Sequence, residues 1–321
     1  MLHRREFLGA SLGAAAAAAI ASGAPANKIR WAISGSIMFG RDADIDKIKT
    51  GAQMAAKYGF EGIEPFTFNV SRFLDKPLEL KAVFDPLGLK LSTCSNGGDF
   101  VTAEGSKKTI DKNFKFSRDF LVPLGSKHLK VNIGGVGARP EGGTSVEDLK
   151  AVSVSLNELG KRVHEELGLK FGFHPHLGSV VENERETVFT LEHTDPKYVG
   201  LVPDTCHLVL GRMDPVKIVS QNWSRIVAIH IKDAPAKFRS LTVSPTAEER
   251  KDIYSLFKPL GTGGVDFVAF FRLLQEKNYD YWVDLDFDPP GPGEGTVEEN
   301  LAGYTRYLQQ TIKVWNAPKT A

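Results

Sequence analysis

Four of the chain's eight histidines stand where short apolar runs end. His174 and His176 close KFGFHPH (170–176), His207 follows GLVPD (200–204), and His230 lies within RIVAIHIKD (225–233). Carboxylates gather at matching places: Glu64 in GIEPF (62–66), Asp204, Asp233, and Asp284, Asp286 and Asp288 in YWVDLDFD. A lone histidine at such a point is commonly a hydrogen-bonded structural residue, but clustered unpaired charge needs a metal or a partner to be tolerated. The His-x-His spacing on a strand puts His174 and His176 on one face. In VAIHIKD, Val227, Ile229 and Ile231 share one face while Ala228, His230 and Lys232 share the other. Lys232 is there either as a salt-bridge partner or as an acid–base group. Three aspartates on one face of 281–288 would repel without a cation or solvent, with Asp286 the candidate ligand and Asp284 its support. Glu64 is either structural or turned toward a substrate.

The elements that must position these groups alternate along the chain. Strand-like runs fall at 29–34, 62–66, 90–95, 128–134, 170–176, 200–204, 225–233 and 281–287. Amphipathic stretches lie between them. DIDKIKTGAQMAAKYG places Ile45, Ile48, Ala52 and Ala55 on one stripe closed by Gly59, and a long pattern opens at Ser145 and ends at Gly168. VDFVAFFRLLQEKNYD (265–280) repeats the period. Eight strands each followed by a helix, with no compositional break, predict a single (β/α)₈ TIM barrel over 27–321. Catalytic groups in such barrels sit at the C-terminal ends of the strands, where the polar residues of this chain accumulate. The stretch 236–259 reads as a loop or short helix over that mouth. NIGGVGARPEGG (132–143) reads as a flexible mouth loop, and PLGTGGVDF (259–267) as a tight turn into a helix beginning at Val265. The spacing of the latter fits neither phosphate-binding nor dinucleotide fingerprints.

Composition narrows the function classes. With 321 residues, 42% of them hydrophobic, the chain is long enough for a large core. Its formal net charge of +1 is a poor footprint for nucleic-acid binding. Cys94 and Cys206 are too few for a disulfide framework and read as free, partly buried thiols. Residues 1–26 have a basic start, an alanine-rich middle and a closing A-P-A, the layout of a cleaved signal peptide. Arg4-Arg5 followed by Phe7 and Leu8 resembles the twin-arginine export motif, predicting a periplasmic mature protein that begins near Asn27. No later apolar run is long enough to predict membrane insertion of the mature chain.

The elements GFEGIE, FHPHLG, TDPKYVGLVPDTCHL, IVAIHIKD, LGTGGVDF and YDYWVDLDFD, in this order over most of the mature chain, resemble the xylose isomerase-like TIM-barrel superfamily. The inosose dehydratase-like branch is the most similar through its histidine-rich fifth strand and its DTGH-like and HFKD-like motifs. The resemblance implies one divalent metal held from the ends of strands five to eight, at the positions of His174, Asp204, His230 and Asp286. It implies that His207 contacts substrate. The epimerases of this superfamily use a pair of glutamates where this chain has His174 and Asp286. His176, His207 and Lys232 are therefore the candidate acid–base groups, and Glu64, His176 and His207 the candidate substrate contacts.

Two imidazoles and two carboxylates would suit Mn²⁺, Zn²⁺, Co²⁺ or Fe²⁺. A metal on a ketone and its neighbouring hydroxyl acidifies the adjacent C–H, so isomerisation, epimerisation and β-elimination become alternative outcomes of one enediolate. The expected substrate is a non-phosphorylated sugar or cyclitol ketone or an oxidised glycoside. A nuclease of the same superfamily would need further ligands, including an Asp-x-His pair after strand seven, that the sequence lacks. A non-catalytic periplasmic sugar-binding protein is the remaining reading, and a homo-oligomer is left open.

Overall fold

The computed structural model describes residues 29–34, 36–288 and 295–314. The expected signal peptide lies outside them. Strands β1 (Arg30–Ser34), β2 (Gly62–Glu64), β4 (His128–Ile133), β5 (Lys170–His174), β6 (Gly200–Leu201), β7 (Ile229–Ile231) and β8 (Trp282–Leu285) are joined by a third strand in two segments, Lys90–Leu91 and Asn96–Gly98 (β3). All pairings are parallel: β1 lies between β2 and β8, and β4 between β3 and β5. Bridges between Leu201 and Ile226 and between Asp204 and His230 join β6 to β7, and Phe66 to Ser95 carries the β2–β3 pairing upward. The ring is thus a closed TIM barrel of eight strand positions, as the alternating pattern predicts.

The strands are shorter than the sequence runs because their ends turn into the mouth. The run through Asp204 is the clearest case. Its ladder with β5 ends at Leu201, one bridge to His230 remains at Asp204, and Asp204 becomes the N-cap of a helix, Thr205–Leu210, its Oδ1 accepting the His207 N–H at 2.9 Å. Elsewhere the expected start at Ser145 and end at Gly168 are in place, and Asp44 supplies a further cap. Ser145 caps Val146–Leu167, which Gly168 ends at φ +68°, and Asp44 caps Ile45–Lys57. The helix expected from Val265 starts at Phe267, because the Val265 N–H is instead committed to the Asp233 carboxylate at 3.0 Å. That carboxylate also accepts the N–H groups of Gly261, Gly263 and Ala234, so the glycine-rich turn is folded around one aspartate.

Alternation decides what fills the barrel. Outward residues such as Ile33, Val131, Phe173, Ile229 and Leu285 join the main core with the helices. Ala32, Val202, Ala228 and Trp282 form a separate small cluster with Val227 inside the ring. Gly62 is needed there, since a Cβ on it would lie 2.6 Å from the Trp282 ring. Two residues further along those strands, the inward positions become Ser34, Asp204, His230 and Asp284. Cys94 and Cys206 are both free and fully buried. The stretch 236–259 folds into three short pieces, Ala236–Ser240, Ala247–Lys251 and Ile253–Leu256. Among the described residues no helix is long and apolar enough to cross a membrane.

Candidate active site

The ends of β5 to β8 and the helix after β6 bring the sequence-selected groups together. His174 closes β5, and its Nδ1 lies 3.0 Å from the Val202 carbonyl, a bond it makes as donor, which leaves Nε2 free. His230 in β7 donates through Nε2 to Glu64 Oε2 at 2.8 Å, leaving Nδ1 buried without a hydrogen-bond partner. Asp204 Oδ2 is buried and likewise without one. Ligand-type atoms of His174, Asp204 and His230 lie within 4.8 Å of one another, and so do those of Asp204, His207 and Asp286. Asp286 Oδ2 is 4.0 Å from His230 Nδ1. His174, Asp204 and His230 thus form one group close enough to share an ion, and Asp286 joins Asp204 and His207 in a second. Buried polar atoms are rarely left unpaired, and two nitrogens with two carboxylates suit a borderline cation.

Electrostatics sort the site into neutral and charged groups. Burial, aided by nearby Lys130 and the other imidazoles, pushes His174 well below its ordinary range, and burial likewise lowers His207 well down and His176 to about 4. All three are neutral near pH 7. Burial and the charge of Asp286 raise Asp204 to about 6. For His230, burial alone would favour the neutral ring, but the Glu64 carboxylate outweighs it and lifts the group to about 10. His176 and His207 stack with ring centroids 3.6 Å apart. The His176 Nδ1 donates to the Leu177 carbonyl at 2.8 Å, whereas His207 Nδ1 accepts the Leu177 N–H at 3.5 Å and its Nε2 is unpartnered.

Lys232 lies at the same mouth as a fixed cation. Its ammonium is 2.8 Å from Asp286 Oδ2, contacts Asp288, and stands 3.8 Å over the Phe257 ring. Burial would lower its pKa, yet the aspartates hold it well above the usual lysine range, which is the salt-bridge alternative of the sequence reading.

Glu64 departs from its expected place as a substrate contact. It is fully buried beneath the cluster, with Oε1 accepting from Lys130 at 2.6 Å and from Ser95 at 2.8 Å, and Oε2 taken by His230. Asp284 sits beside it, and burial together with Glu64 pushes its carboxyl well above the usual range.

Lys130 escaped the sequence reading, although HLKVNIG alternates Leu129, Val131 and Ile133 with His128, Lys130 and Asn132. That alternation was the available signal, because it places a lysine inside the ring. Phe257 carried no signal, since only the fold of 236–259 lowers it onto Lys232. Among the described residues, a compartment of 150 Å³ opens above the cluster, walled by His176, Lys232, Asp286, Asp288, Asn132 and Phe257. NIGGVGARPEGG forms one side of it and is tied down rather than loose, with Arg139 making two bonds of 2.7 and 2.9 Å to Glu186.

A family profile described as xylose isomerase-like TIM barrel matches residues 52–307, which include every group above. The chain belongs to this family. Within it, the inosose dehydratase of Clostridium beijerinckii is 31% identical over 205 residues, covering 59% of this chain and 67% of that one. Solved xylose isomerase-like barrels superpose closely. The IolI protein with a binding zinc atom reaches a TM-score of 0.67 at 17% identity, over 90% of this chain and 99% of that chain. The 3-keto-D-glucoside 4-epimerase YcjR of E. coli reaches 0.61 at 19% identity, over 85% and 98%. These two likenesses speak for the fold. With its inosose dehydratase relatives, the family membership makes this protein a sugar-modifying enzyme.

Proposed function

We propose that the protein is a divalent-metal-dependent enzyme that takes a proton from the carbon beside the ketone of a non-phosphorylated sugar or cyclitol. The observation that carries this reading is the gathering of buried atoms without a hydrogen-bond partner, Asp204 Oδ2 and His230 Nδ1, beside the close pair of neutral histidines His176 and His207, with His176 and Asp286 opening onto one small compartment. His174, Asp204, His230 and Asp286 would hold the metal, with Glu64 fixing the His230 ring so that Nδ1 faces the site. Bound there, a divalent cation would polarise a ketone and acidify the neighbouring C–H.

The chain's own groups divide the proton work. His176 donates through Nδ1 to a carbonyl, so its Nε2 carries the lone pair of a base. His207 accepts at Nδ1, so its one N–H sits on Nε2, a hydrogen-bond donor for a substrate oxygen. Lys232 is a cation placed to hold a substrate oxygen. Return of the proton to a neighbouring carbon gives isomerisation. Delivery of a proton to the hydroxyl on the next carbon breaks that C–O bond, forms C=C and releases water. The inosose dehydratase relatives support this elimination, and His176, once it holds the proton taken from carbon, is the imidazolium that can pass a proton to the leaving hydroxyl.

Incubation with a keto-inositol in D₂O should place deuterium at the carbon beside the ketone. His176→Ala and His207→Ala should each slow this by about 10²–10⁴-fold, the usual worth of a positioned acid or base. Turnover without solvent deuterium, with both variants at normal rates, would overturn the proposal. The proposal extends to export by the twin-arginine route, supported by Arg4-Arg5 and the A-P-A ending at Ala26. Mass spectrometry of a periplasmic fraction should find the mature chain near Asn27, and an intact Met1 there would refute it.

A further inference from the structure

Asn132 walls the reaction compartment and has no part in the proton chemistry described above. Its strand neighbours Val131 and Ile133 pack into the outer core, so alternation points Asn132 into the ring. Ladder pairing fixes its backbone from both sides, in register with Gly97 on β3 and with His174 on β5. The other polar groups of the compartment have partners within the protein. Ser179 Oγ donates to the Val181 carbonyl at 2.9 Å, His176 Nδ1 donates to the Leu177 carbonyl, and Lys232 is held by Asp286 and Asp288. The Asn132 amide oxygen differs, being buried without a hydrogen-bond partner among the described residues. Buried polar atoms are rarely left so, and a ligand that enters the compartment can supply what is missing.

The place of Asn132 in the ring decides which part of a substrate it meets. His174, Asp204, His230 and Asp286 stand at the ends of the consecutive strands β5 to β8, one half of the barrel. Asn132 lies on β4 in the other half, and it faces Asp286 and Asp288 of β8 across the compartment that all three line. A polyhydroxy ring held through its ketone and the neighbouring hydroxyl therefore turns its remote edge toward Asn132. An amide both accepts and donates hydrogen bonds, which matches a hydroxyl, whereas a deoxy carbon would leave the buried amide oxygen unpaired. We infer that Asn132 sets specificity by binding a hydroxyl on the edge of the substrate ring remote from the metal-bound carbons. This deepens the reaction proposed above, on which it rests for the ring itself. A hydrogen bond made equally in the ground and transition states lowers KM and leaves kcat alone, so Asn132 selects the substrate without moving a proton.

The test pairs Asn132→Ala with a keto-inositol and its monodeoxy analogues on the metal-loaded full chain. Asn132→Ala should raise KM for the keto-inositol by about ten-fold, the share of one hydrogen bond, with the loss falling on KM and not on kcat. With the parental enzyme, one analogue lacking a hydroxyl remote from the ketone should be poorer than the keto-inositol by about the same ten-fold. With Asn132→Ala those two substrates should be equal, because the amide that read the hydroxyl is gone. An unchanged KM in Asn132→Ala, or the same penalty for every analogue with both proteins, overturns the inference. So does a parental enzyme that treats every remote monodeoxy analogue as it treats the keto-inositol, a result that needs no variant. Calorimetric titration of unoxidised myo-inositol and its monodeoxy analogues reads the same cycle without turnover. The non-additive pattern there supports the role of Asn132 even if no keto-inositol reacts, whereas turnover of keto-inositol without that pattern defeats the role of Asn132 alone. A protein that neither binds inositol nor turns over its ketone defeats both readings.

Discussion

Two layers of the barrel interior hold similar residues in opposite states. In the lower one, Glu64 meets Lys130, Ser95 and His230, and both of its carboxylate oxygens are engaged. Just above, Asp204 Oδ2, His207 Nε2 and His230 Nδ1 are buried without a hydrogen-bond partner among the described residues. His230 belongs to both, with one ring nitrogen in each. A buried charge with its partners in place is compatible with a stable fold, while a buried polar atom without one is a cost that persists only where something else compensates it. Glu64 and its partners therefore read as support and the upper layer as the place where a ligand belongs, while Asp284, beside Glu64 and with both carboxyl oxygens lacking a hydrogen-bond partner, is pushed by burial and by Glu64 toward its protonated form. Burial alone does not separate them, since Glu64 and Asp204 are both fully buried.

The comparison breaks most visibly at Lys130. Lys130→Met leaves Glu64 short of a cationic partner and should destabilise the fold by about 3–5 kcal/mol in denaturant unfolding. A cost near zero would show that the lower layer is not the support described. Asp204→Asn should behave oppositely. Asparagine keeps the cap on Thr205–Leu210 and removes a raised carboxyl, so metal-free stability should hold or rise, while activity falls by the roughly 10²–10³-fold typical of losing one charge-stabilising group. Loss of stability with retained metal and activity would place the ligand elsewhere.

A smaller effect tests the lower layer through pH. Burial holds His128 down to about 3, so the unfolded chain takes up a proton that the folded chain refuses. Its contribution is complete above about pH 6.5 and is lost as pH falls toward 3, at about 1.4 kcal/mol per pH unit. His128→Phe should flatten acid destabilisation by that one-proton share, and an unchanged slope would show that His128 is protonated in the fold. The smallest difference lies between two substitutions at one site: Asp204→Ala should be about 1 kcal/mol less stable than Asp204→Asn, because only asparagine retains the cap.

Much of the site was legible because strand alternation is a local rule. VAIHIKD and YWVDLDFD each put apolar residues outward and polar ones inward, and the barrel keeps this from Ile229 onward and through YWVDLDFD, with Ile229, Ile231, Val283 and Leu285 in the outer core, whereas Val227 joins Ala228 in the inner cluster. HLKVNIG carried the same rule to Lys130, where a lysine between Leu129 and Val131 is easily taken for a solvated residue. Glu64 shows a different limit. Its position at a strand end was readable, but its three partners come from β3, β4 and β7, and no local pattern announces that they meet. Asp204-Thr-Cys-His207 was readable as polar at the end of an apolar run. That the same residues start a helix, so that one carboxylate oxygen caps and the other stays free, depends on where pairing with β5 and β7 stops.

The order of elements, their two faces, the helix start at Ser145 and end at Gly168, and the polar character of the mouth were set by sequence alone, because side-chain periodicity and capping act over a few residues. Tertiary structure decided which nitrogen of His230 faces Glu64, that Lys232 is locked between Asp286 and Asp288, and that Lys130 and Ser95 meet Glu64. Each of these depends on atoms from strands or loops that are distant along the chain, and only closure of the ring sets their distances and removes the water between them.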